Sequence, residues 1–271
     1  MSVRPKKRLG QHFLTDPNTV RRIVDAVGAP PGAPVVEIGP GEGALTGTLL
    51  ERYPGLVALE VDPEAVGHLR HRFPGLDVRE GDVLDADWRS LAAGEEAPTH
   101  AASGPSPDPT SLYVVGNLPY YITSPILFSL LDAREHLARA VVMVQREVAD
   151  RLAAGPGSKA YGIPSVLFQL YADVRLLFPV SRHCFRPKPA VESAVVAIDF
   201  GGAGPPDVAF GPLQRTVRAA FGQRRKMLRN SLGPLAAAAG REVPEWAAAL
   251  RPEAVSPADF VRLARHVAAA D

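Results

Sequence analysis

Short apolar runs alternate with helical patterns along most of the 271-residue chain, and this alternation constrains its fold more than any other feature. The first run, Val35–Ile38, is followed by a glycine turn and a helical pattern that extends to about Arg52. Further runs recur downstream: Leu56–Val61, Leu76–Arg79, Tyr113–Val115, Ala140–Val144, Val174–Phe178 and Ala194–Phe200. Strands that alternate with helices form a parallel sheet covered by helices. The sequence therefore predicts an α/β fold with a doubly wound sheet, which the last two runs complete as a hairpin pair.

A glycine- and proline-rich stretch, Gly201–Pro206, interrupts this pattern and has the composition of a linker. Beyond it only helical patterns are found: Leu213–Phe221, Arg224–Ala239, Val243–Leu250 and Pro257–Ala269. A second stretch, Ala93–Ser111, is rich in small residues and proline and lacks periodicity, as expected of a surface loop. We predict an α/β domain over residues 1–200, with a basic N-terminal arm, and a helical domain over residues 201–271.

Composition excludes several classes of protein. The single cysteine, Cys184, excludes a disulfide framework and a cysteine-built metal site. The histidines lack ligand spacing, so we expect no metal. No apolar run approaches the roughly 20 residues of a membrane-spanning helix, and the basic N-terminus is not followed by the apolar core of a signal peptide. We expect a cytoplasmic protein without a membrane partner.

Charge is unevenly distributed, although the net charge is only +1. Residues 31–130 carry 14 acidic and five basic side chains, whereas residues 201–271 carry ten basic and six acidic ones. Two clusters of basic residues lie towards opposite ends of the chain: Arg4, Lys6, Lys7 and Arg8, then Arg218, Arg224, Arg225, Lys226 and Arg229. These clusters are either solvated faces or two surfaces that hold a polyanion such as a nucleic acid.

The turn after the first strand is rich in glycine and opens a helix. Its sequence is Glu37-Ile38-Gly39-Pro40-Gly41-Glu42-Gly43, and glycines there let a ligand approach the amides of a helix N-terminus. The spacing Gly39-x-Gly41-x-x-Ala44 fits a dinucleotide fingerprint, with Glu60 placed to bind a ribose hydroxyl. This turn alone leaves open a nicotinamide dinucleotide, S-adenosylmethionine or no cofactor.

Three details favour S-adenosylmethionine. Glu37 lies two residues before the first glycine, where a carboxylate can face the cationic amino-acid end of that cofactor. Gly43 completes a Gly-x-Gly-x-Gly spacing that is common in Rossmann-like methyltransferases. Asp82 follows the third strand, where a carboxylate can accept a hydrogen bond from the adenine amino group. All of these positions fall at the carboxyl ends of predicted parallel strands, where such sheets bind ligands.

The fourth strand is followed by Asn117-Leu118-Pro119-Tyr120, a run that suits methyl transfer to an adenine amino group. That nitrogen is a poor nucleophile because its lone pair is delocalised into the ring. The Asn117 side-chain carbonyl and a neighbouring backbone carbonyl can accept hydrogen bonds from the amino group and stabilise the positive charge that develops during attack. Tyr120 can stack on the base, for which the ring suffices without the hydroxyl. Alternatively, the run is only a turn.

With these motifs, the chain resembles the small-subunit ribosomal RNA adenine N6,N6-dimethyltransferase family over nearly its whole length. The glycine turn, Glu60, Asp82 and Asn117–Tyr120 occur in the order typical of that family. Further segments also match: Lys7–Leu14, Val144–Ala149, Lys159–Gly162, Phe185–Ser193 and Phe221–Asn230. The last three, together with Asn117–Tyr120, are highly specific.

The resemblance implies a Rossmann-like, seven-stranded class I methyltransferase domain with a small all-helical C-terminal domain. It implies dimethylation of two adjacent adenines in the 3′-terminal hairpin of small-subunit (16S) rRNA, in a 30S precursor, by a monomeric enzyme that uses S-adenosylmethionine. The catalytic residues would be Asn117, Leu118, Pro119, Tyr120 and Phe185. The cofactor-binding residues would be Gln11, His12, Leu14, Glu37, Gly39, Gly41, Glu60, Val61, Asp82, Val83 and Asn117. Phe185 would form a wall of the adenine pocket; alternatively, it is a core aromatic residue.

Two other classes of function remain open. A non-catalytic RNA-binding protein with this fold would have no use for Glu60 and Asp82 or for Asn117–Tyr120. A small-molecule methyltransferase or a nicotinamide enzyme would not need a basic helical C-terminal region. An RNA-modifying enzyme is therefore the preferred interpretation.

Overall fold

The computed structural model describes residues 3–6, 10–93, 111–200 and 206–267. The predicted linker Gly201–Pro206 lies outside these ranges except for Pro206, and Ala93–Ser111 lies outside them except for its two end residues.

The chain divides into two compact units. The first comprises Met1–Arg146 and Arg175–Gly201, and the second comprises Glu147–Val174 and Gly202–Asp271. This division differs from the predicted boundary at residue 200, because Glu147–Val174 groups with the C-terminal region. The physical reason is that this internal segment forms helices that pack against the C-terminal helices.

The strands are β1 (Phe13–Leu14), β2 (Val35–Ile38), β3 (Val57–Glu60), β4 (Asp77–Glu80), β5 (Leu112–Asn117), β6 (Leu137–Gln145), β7 (Asp173–Val180), β8 (Phe185–Arg186) and β9 (Ser193–Asp199). The main sheet has seven strands in the order β4-β3-β2-β5-β6-β9-β7. Neighbouring strands from β4 to β6 are parallel, whereas β9 runs antiparallel to β6. The prediction of a Rossmann-like α/β fold is thus confirmed.

The strand order reverses at β2, and this reversal determines where a ligand can bind. The chain passes from β2 outward to β3 and β4, then returns to place β5 on the other side of β2. Helices at such a point diverge to opposite faces of the sheet and leave a crevice at the carboxyl ends of the strands. Glu37 lies in β2 and Asn117 is the last residue of β5, so both lie at this end of the sheet.

The helices of the first unit are α1 (Pro17–Val27), α2 (Thr46–Arg52), α3 (Pro63–Arg72), α4 (Trp88–Ala93) and α5 (Thr123–Asp132). Local sequence explains their ends. The Asp16 carboxylate accepts a hydrogen bond of 2.8 Å from the Thr19 amide, and Pro17 occupies the first turn of α1. Gly28 ends that helix with a φ of 62°.

A small second sheet joins distant parts of the chain. Phe13 and Leu14 of β1 pair antiparallel with Arg186 and Phe185 of β8. Two-residue strands carry no sequence periodicity, and the sequence did not predict this pairing. It fixes the N-terminal segment beside the segment that contains Phe185.

The second unit is helical. Its helices are α6 (Arg146–Ala153, all but its first residue), α7 (Ile163–Tyr171), α8 (Phe210–Gly222), α9 (Leu228–Ser231), α10 (Gly233–Ala238), α11 (Glu245–Ala248) and α12 (Pro257–Val267). The fully buried Tyr161 donates a hydrogen bond of 2.9 Å to the Val255 carbonyl. Its ring makes an edge contact with Phe221, which stacks on Phe260. These aromatic contacts join α8 and α12 to the segment before α7.

The predicted helix Arg224–Ala239 is not continuous. The chain turns after Gly222, where the Lys226 amide donates to the Gln223 carbonyl, and Met227 is extended with a ψ of 151°. The Leu228 amide donates to the Leu250 carbonyl, a bond of 2.8 Å to a distant segment. This tertiary contact replaces the helical bond that the local pattern favours, so the basic run Arg224–Lys226 lies in a turn.

No helix in the part of the chain that the structure describes is long and apolar enough to cross a membrane.

Candidate functional site

A pocket opens at the carboxyl ends of β2, β3 and β5, in the first unit. Every predicted cofactor-binding residue lines it, as do four of the five predicted catalytic residues. These residues are Gln11, His12, Leu14, Glu37, Gly39, Gly41, Glu60, Val61, Asp82, Val83, Asn117, Leu118, Pro119 and Tyr120. Parallel strands place their ends along one edge, which explains why residues far apart in sequence meet here.

The glycine turn forms the floor of the pocket. Gly39 and Gly41 have φ angles of 61° and 57°, which are left-handed values that side-chain-bearing residues rarely adopt. A Cβ at Gly41 would lie 2.8 Å from Cε1 of Phe13, so close packing also excludes a side chain there. A Cβ at Gly39 would meet no protein atom within 4 Å. The open space above Gly39 therefore allows a ligand to approach the backbone.

Glu37 is a buried carboxyl group at this floor, with 1% of its surface exposed. Its Oε2 accepts a hydrogen bond of 2.7 Å from the Thr46 hydroxyl. Burial raises the pKa of Glu37 to about 8, with a smaller contribution from the charge of Glu60, while the Thr46 hydrogen bond opposes the shift. A cationic partner would stabilise the charged form of such a group, and the ammonium of a ligand could be that partner.

Glu60 ends β3 and is held by two backbone amides. Its Oε2 accepts a hydrogen bond of 3.0 Å from Gly41, and its Oε1 accepts one of 2.9 Å from Asp62. Burial raises the pKa of Glu60 despite these bonds. The exposed Asp82 accepts a hydrogen bond of 2.9 Å from the Leu84 amide and caps a short 3-10 turn. Asp82 is therefore a capping residue that also lines the pocket.

Asn117 is oriented by the N-terminal segment. Its side-chain NH2 donates a hydrogen bond of 2.9 Å to the main-chain carbonyl of His12, which leaves Oδ1 to accept. The neighbouring Pro119 carbonyl already accepts from the Ile122 amide at 3.2 Å and from the Thr123 hydroxyl at 2.9 Å. Leu118 also lines the pocket, and its carbonyl can serve as the second acceptor in this run. Two acceptors side by side match the two hydrogens of an exocyclic amino group.

Tyr120 is held at two points. Its hydroxyl lies 2.5 Å from the hydroxyl of Ser193, and its ring centroid lies 5.5 Å from that of His12 at an interplanar angle of 32°. The His12 ring in turn bonds through Nδ1 to the Pro187 carbonyl at 2.7 Å. His12 thus contacts both Asn117 and Tyr120, and sequence reasoning did not assign it this position.

Asp62 supports the site from outside the pocket lining, and sequence reasoning missed it. Its side chain is fully buried, and it accepts hydrogen bonds of 2.5 Å from Lys6 Nζ and 3.3 Å from Gln11 Nε2. Burial opposes ionisation, but these two bonds, a bond from the Glu64 amide and the charge of Lys6 keep the pKa of Asp62 below its ordinary value. Its position two residues after Glu60 and directly before Pro63 is a helix-capping signal that could have identified it.

Lys6 was predicted to bind RNA, and the structure places its ammonium between Asp62 and Glu64, at 2.5 and 3.2 Å from their carboxylates. Arg4 is exposed, whereas Lys7 and Arg8 lie outside the described residues. Lys6 therefore fastens the N-terminal arm to the segment after β3.

The structure does not bring Phe185 to the pocket wall. Phe185 is 5% exposed, belongs to the main hydrophobic core and pairs with Leu14 across the small sheet. Its burial in that core fits the alternative of a core aromatic residue. Arg186 and Pro187, which follow it, lie next to the site instead.

The predicted RNA-binding residues of the second unit are largely exposed. Arg218 lies on α8 and Arg229 on α9, while Arg225 and Lys226 lie in the turn between these helices. Arg224 differs, because its guanidinium bonds to the Ser158 carbonyl at 3.3 Å and lies 3.9 Å from the Glu253 carboxylate.

Within the described ranges, no group of three or more His, Cys, Asp or Glu side chains is arranged to hold a metal ion.

A family model described as "Ribosomal RNA adenine dimethylase" matches residues 3–267 of the chain. Curated relatives include "Ribosomal RNA small subunit methyltransferase A" of Salinibacter ruber, 49% identical over 97% of this chain and 85% of that protein. The protein of the same name from Methylococcus capsulatus is 42% identical over 97% of this chain and 98% of its own length.

Solved structures show the same fold. A dimethyladenosine transferase from Plasmodium falciparum superposes with a TM-score of 0.72 at 23% identity, covering 93% of this chain and 96% of that one. The 23S rRNA methyltransferase ErmE superposes with a TM-score of 0.66 at 24% identity, covering 94% and 99%.

Proposed function

This chain belongs to the ribosomal RNA adenine dimethylase family, and from that premise we propose that it transfers methyl groups from S-adenosylmethionine to N6 of two adjacent adenines. The target lies in the 3′-terminal hairpin of small-subunit rRNA. The observation that carries this assignment is the orientation of Asn117. Its NH2 is committed to His12, so its Oδ1 faces the reaction as an acceptor.

The residues that line the pocket fit S-adenosylmethionine. Glu37 is a buried carboxyl group that lines the pocket, and a ligand ammonium beside it would stabilise its charged form. Glu60 would accept from the ribose hydroxyls and Asp82 from the adenine amino group, while the open space over Gly39 accommodates the ligand. When bound, this cofactor supplies the electrophilic methyl group.

Asn117 Oδ1 and the Leu118 carbonyl would accept the two hydrogens of the adenine amino group. These bonds draw the nitrogen lone pair out of conjugation and stabilise the positive charge that develops on nitrogen during attack. Because acceptors already positioned here suffice, no side chain needs to remove a proton before attack. The methylated nitrogen would release its extra proton to water afterwards, with S-adenosylhomocysteine as the leaving group. The Tyr120 ring provides a stacking surface, and burial raises the pKa of its hydroxyl, which disfavours a role as base.

The target adenine must leave its stack to reach this pocket, at a cost of a few kcal/mol. Contacts with distant phosphates can repay that cost, and the exposed Arg225, Lys226, Arg229 and Arg218 are suited to them. We expect the substrate to be a precursor of the 30S subunit in the cytoplasm, and the enzyme to act as a monomer.

A methyl-transfer assay tests the proposal. The purified chain is incubated with radiolabelled S-adenosylmethionine and undermethylated 30S subunits, with naked 16S rRNA and 23S rRNA as parallel substrates. Nucleosides are then separated and identified by mass spectrometry. We expect N6,N6-dimethyladenosine in the 16S rRNA of the 30S subunits and none in 23S rRNA. The product should be lost in Asn117→Ala. RNA binding without methylation would instead support a non-catalytic binding protein.

A further inference from the structure

Ser193 does not line the pocket, yet its hydroxyl contacts Tyr120, which does. It is the first residue of β9, it is fully buried, and its Oγ lies 2.5 Å from the hydroxyl of Tyr120. Polar groups removed from water are costly unless they are hydrogen-bonded. The two hydroxyls satisfy each other across 73 residues of sequence.

The position of Ser193 is set by rigid structure. It lies opposite Gln145 in the β6–β9 ladder. The preceding residue, Glu192, accepts the Arg146 amide on its carbonyl at 3.0 Å and the Arg182 amide on its carboxylate at 2.8 Å. Ser193 is therefore held firmly at the start of β9, an interior strand of the sheet.

Tyr120, by contrast, lies in the turn between β5 and α5. Its backbone is not part of a strand, and its ring contacts His12 at a tilt of 32°. The hydroxyl bond to Ser193 is the contact that ties the far end of the side chain to the sheet. Without this bond, the hydroxyl end of the ring would lose its tie to β9, and the tilted contact with His12 would remain.

We propose that Ser193 is a positioning residue that holds the Tyr120 ring in the plane required to stack on the target adenine. This rests on the proposed function. It changes the expectation that the ring alone suffices, since Tyr120→Phe removes the anchor as well as the hydroxyl. A misplacement of about 1 Å can cost on the order of 100-fold in rate, so removal of the anchor is expected to lower turnover clearly.

A double-mutant cycle tests the inference with Ser193→Ala, Tyr120→Phe and the double variant, assayed on 30S subunits. We expect each single change to lower kcat about tenfold, with the KM for subunits and the affinity for S-adenosylmethionine changed less than about threefold. The double variant should be no slower than either single variant, because both remove the same bond. Ser193→Thr, which keeps a hydroxyl, should recover part of the activity.

Two controls separate positioning from folding. Ser231→Ala removes a buried serine hydroxyl for which the described residues provide no hydrogen-bond partner, and it should leave kcat unchanged. In protein labelled with ¹³C on tyrosine rings, the Tyr120 signals, assigned by their absence in Tyr120→Phe, should shift or broaden in Ser193→Ala. Additive effects in the cycle, or unchanged Tyr120 signals, would overturn the inference. A wild-type protein without rRNA methylation would instead overturn the proposed function, and the ring signals would still decide whether Ser193 positions Tyr120.

Discussion

The side-chain NH2 of Asn117 donates a hydrogen bond of 2.9 Å to the main-chain carbonyl oxygen of His12, 105 residues earlier in the chain. This bond decides which end of the Asn117 amide faces the pocket. It also couples the N-terminal segment, which β1 and β8 hold in place, to the end of β5. Asn117 Oδ1, the proposed hydrogen-bond acceptor for the target amino group, is thereby oriented before any substrate binds.

Asn117→Ala should lower turnover by about 10²–10³ while the affinity for S-adenosylmethionine changes only a few-fold, because this side chain acts mainly in the transition state. Single-turnover methylation and calorimetric titration measure the two quantities. Asn18→Ala is the matched control, since Asn18 is exposed on α1 and bonds to Arg21. Full activity of Asn117→Ala would show that Asn117 belongs only to a turn and takes no part in the reaction.

Glu37 predicts a pH dependence of stability. Its pKa is about 8 in the folded protein and near the ordinary 4.5 in the unfolded chain. Between these values the folded state holds a proton that the unfolded state has released, so the contribution of Glu37 to stability is complete below about pH 4.5 and falls as pH rises towards 8. The slope is at most about 1.4 kcal/mol per pH unit.

Urea denaturation of the cofactor-free protein at pH 5, 6.5 and 8 measures this slope, and Glu37→Gln should flatten it. Cofactor binding should release close to one proton from Glu37 near pH 7, because an ammonium favours the carboxylate. Titration calorimetry in buffers of different ionisation enthalpy detects that proton. Equal slopes in the two proteins would contradict the prediction.

Asp82 should contribute to cofactor affinity beyond its capping bond to Leu84. Asp82→Ala is expected to weaken binding of S-adenosylmethionine on the order of tenfold or more, the usual effect of removing a hydrogen bond to a charged group. Asp87→Ala is the matched control, because Asp87 also accepts local hydrogen bonds, from Arg89 and Ser90, but does not line the pocket. Equal affinities of the two variants would limit Asp82 to capping.

The basic turn of the second unit predicts a change in salt dependence. Arg225→Ala with Lys226→Ala should weaken rRNA binding and reduce the slope of log K against log salt by up to about 1.4, because each single-strand phosphate that a cation neutralises accounts for about 0.7. Filter binding between low and moderate salt measures it. Arg52→Ala with Arg79→Ala removes two exposed cations of the first unit and should leave the slope unchanged. An unchanged slope in the Arg225→Ala, Lys226→Ala variant would show that this turn is a solvated face that does not contact RNA.

Lys6 should affect the cofactor rather than RNA. Lys6→Ala leaves the buried Asp62 carboxylate without its ammonium. That carboxylate also accepts a hydrogen bond from Gln11, and the Asp62 amide donates one to Glu60. We expect a lower melting temperature and weaker S-adenosylmethionine binding, with the salt slope of RNA binding unchanged. Arg4→Ala removes an exposed cation of the same arm. It should reduce the salt slope of RNA binding and leave the melting temperature and S-adenosylmethionine binding unchanged. A reduced salt slope for Lys6→Ala would instead show that Lys6 contacts RNA, as the sequence predicted.

The positions of Glu37, Glu60, Asp82 and Asn117 around one pocket could be predicted from sequence alone. Each lies in or directly after a run with strand character, and parallel strands bring their carboxyl ends to the same edge of a sheet. Local periodicity therefore determined both the α/β fold and the set of residues around the cofactor.

Tertiary structure decided what those residues touch. Three hydrogen bonds join positions 73, 56 and 105 residues apart: Ser193 with Tyr120, Lys6 with Asp62, and His12 with Asn117. No local sequence pattern encodes such partners. For the same reason Phe185 faces the core, and a bond to Leu250 interrupts the helical pattern of Arg224–Ala239. Periodicity predicts which elements form, whereas the packing of those elements selects each side chain's neighbours.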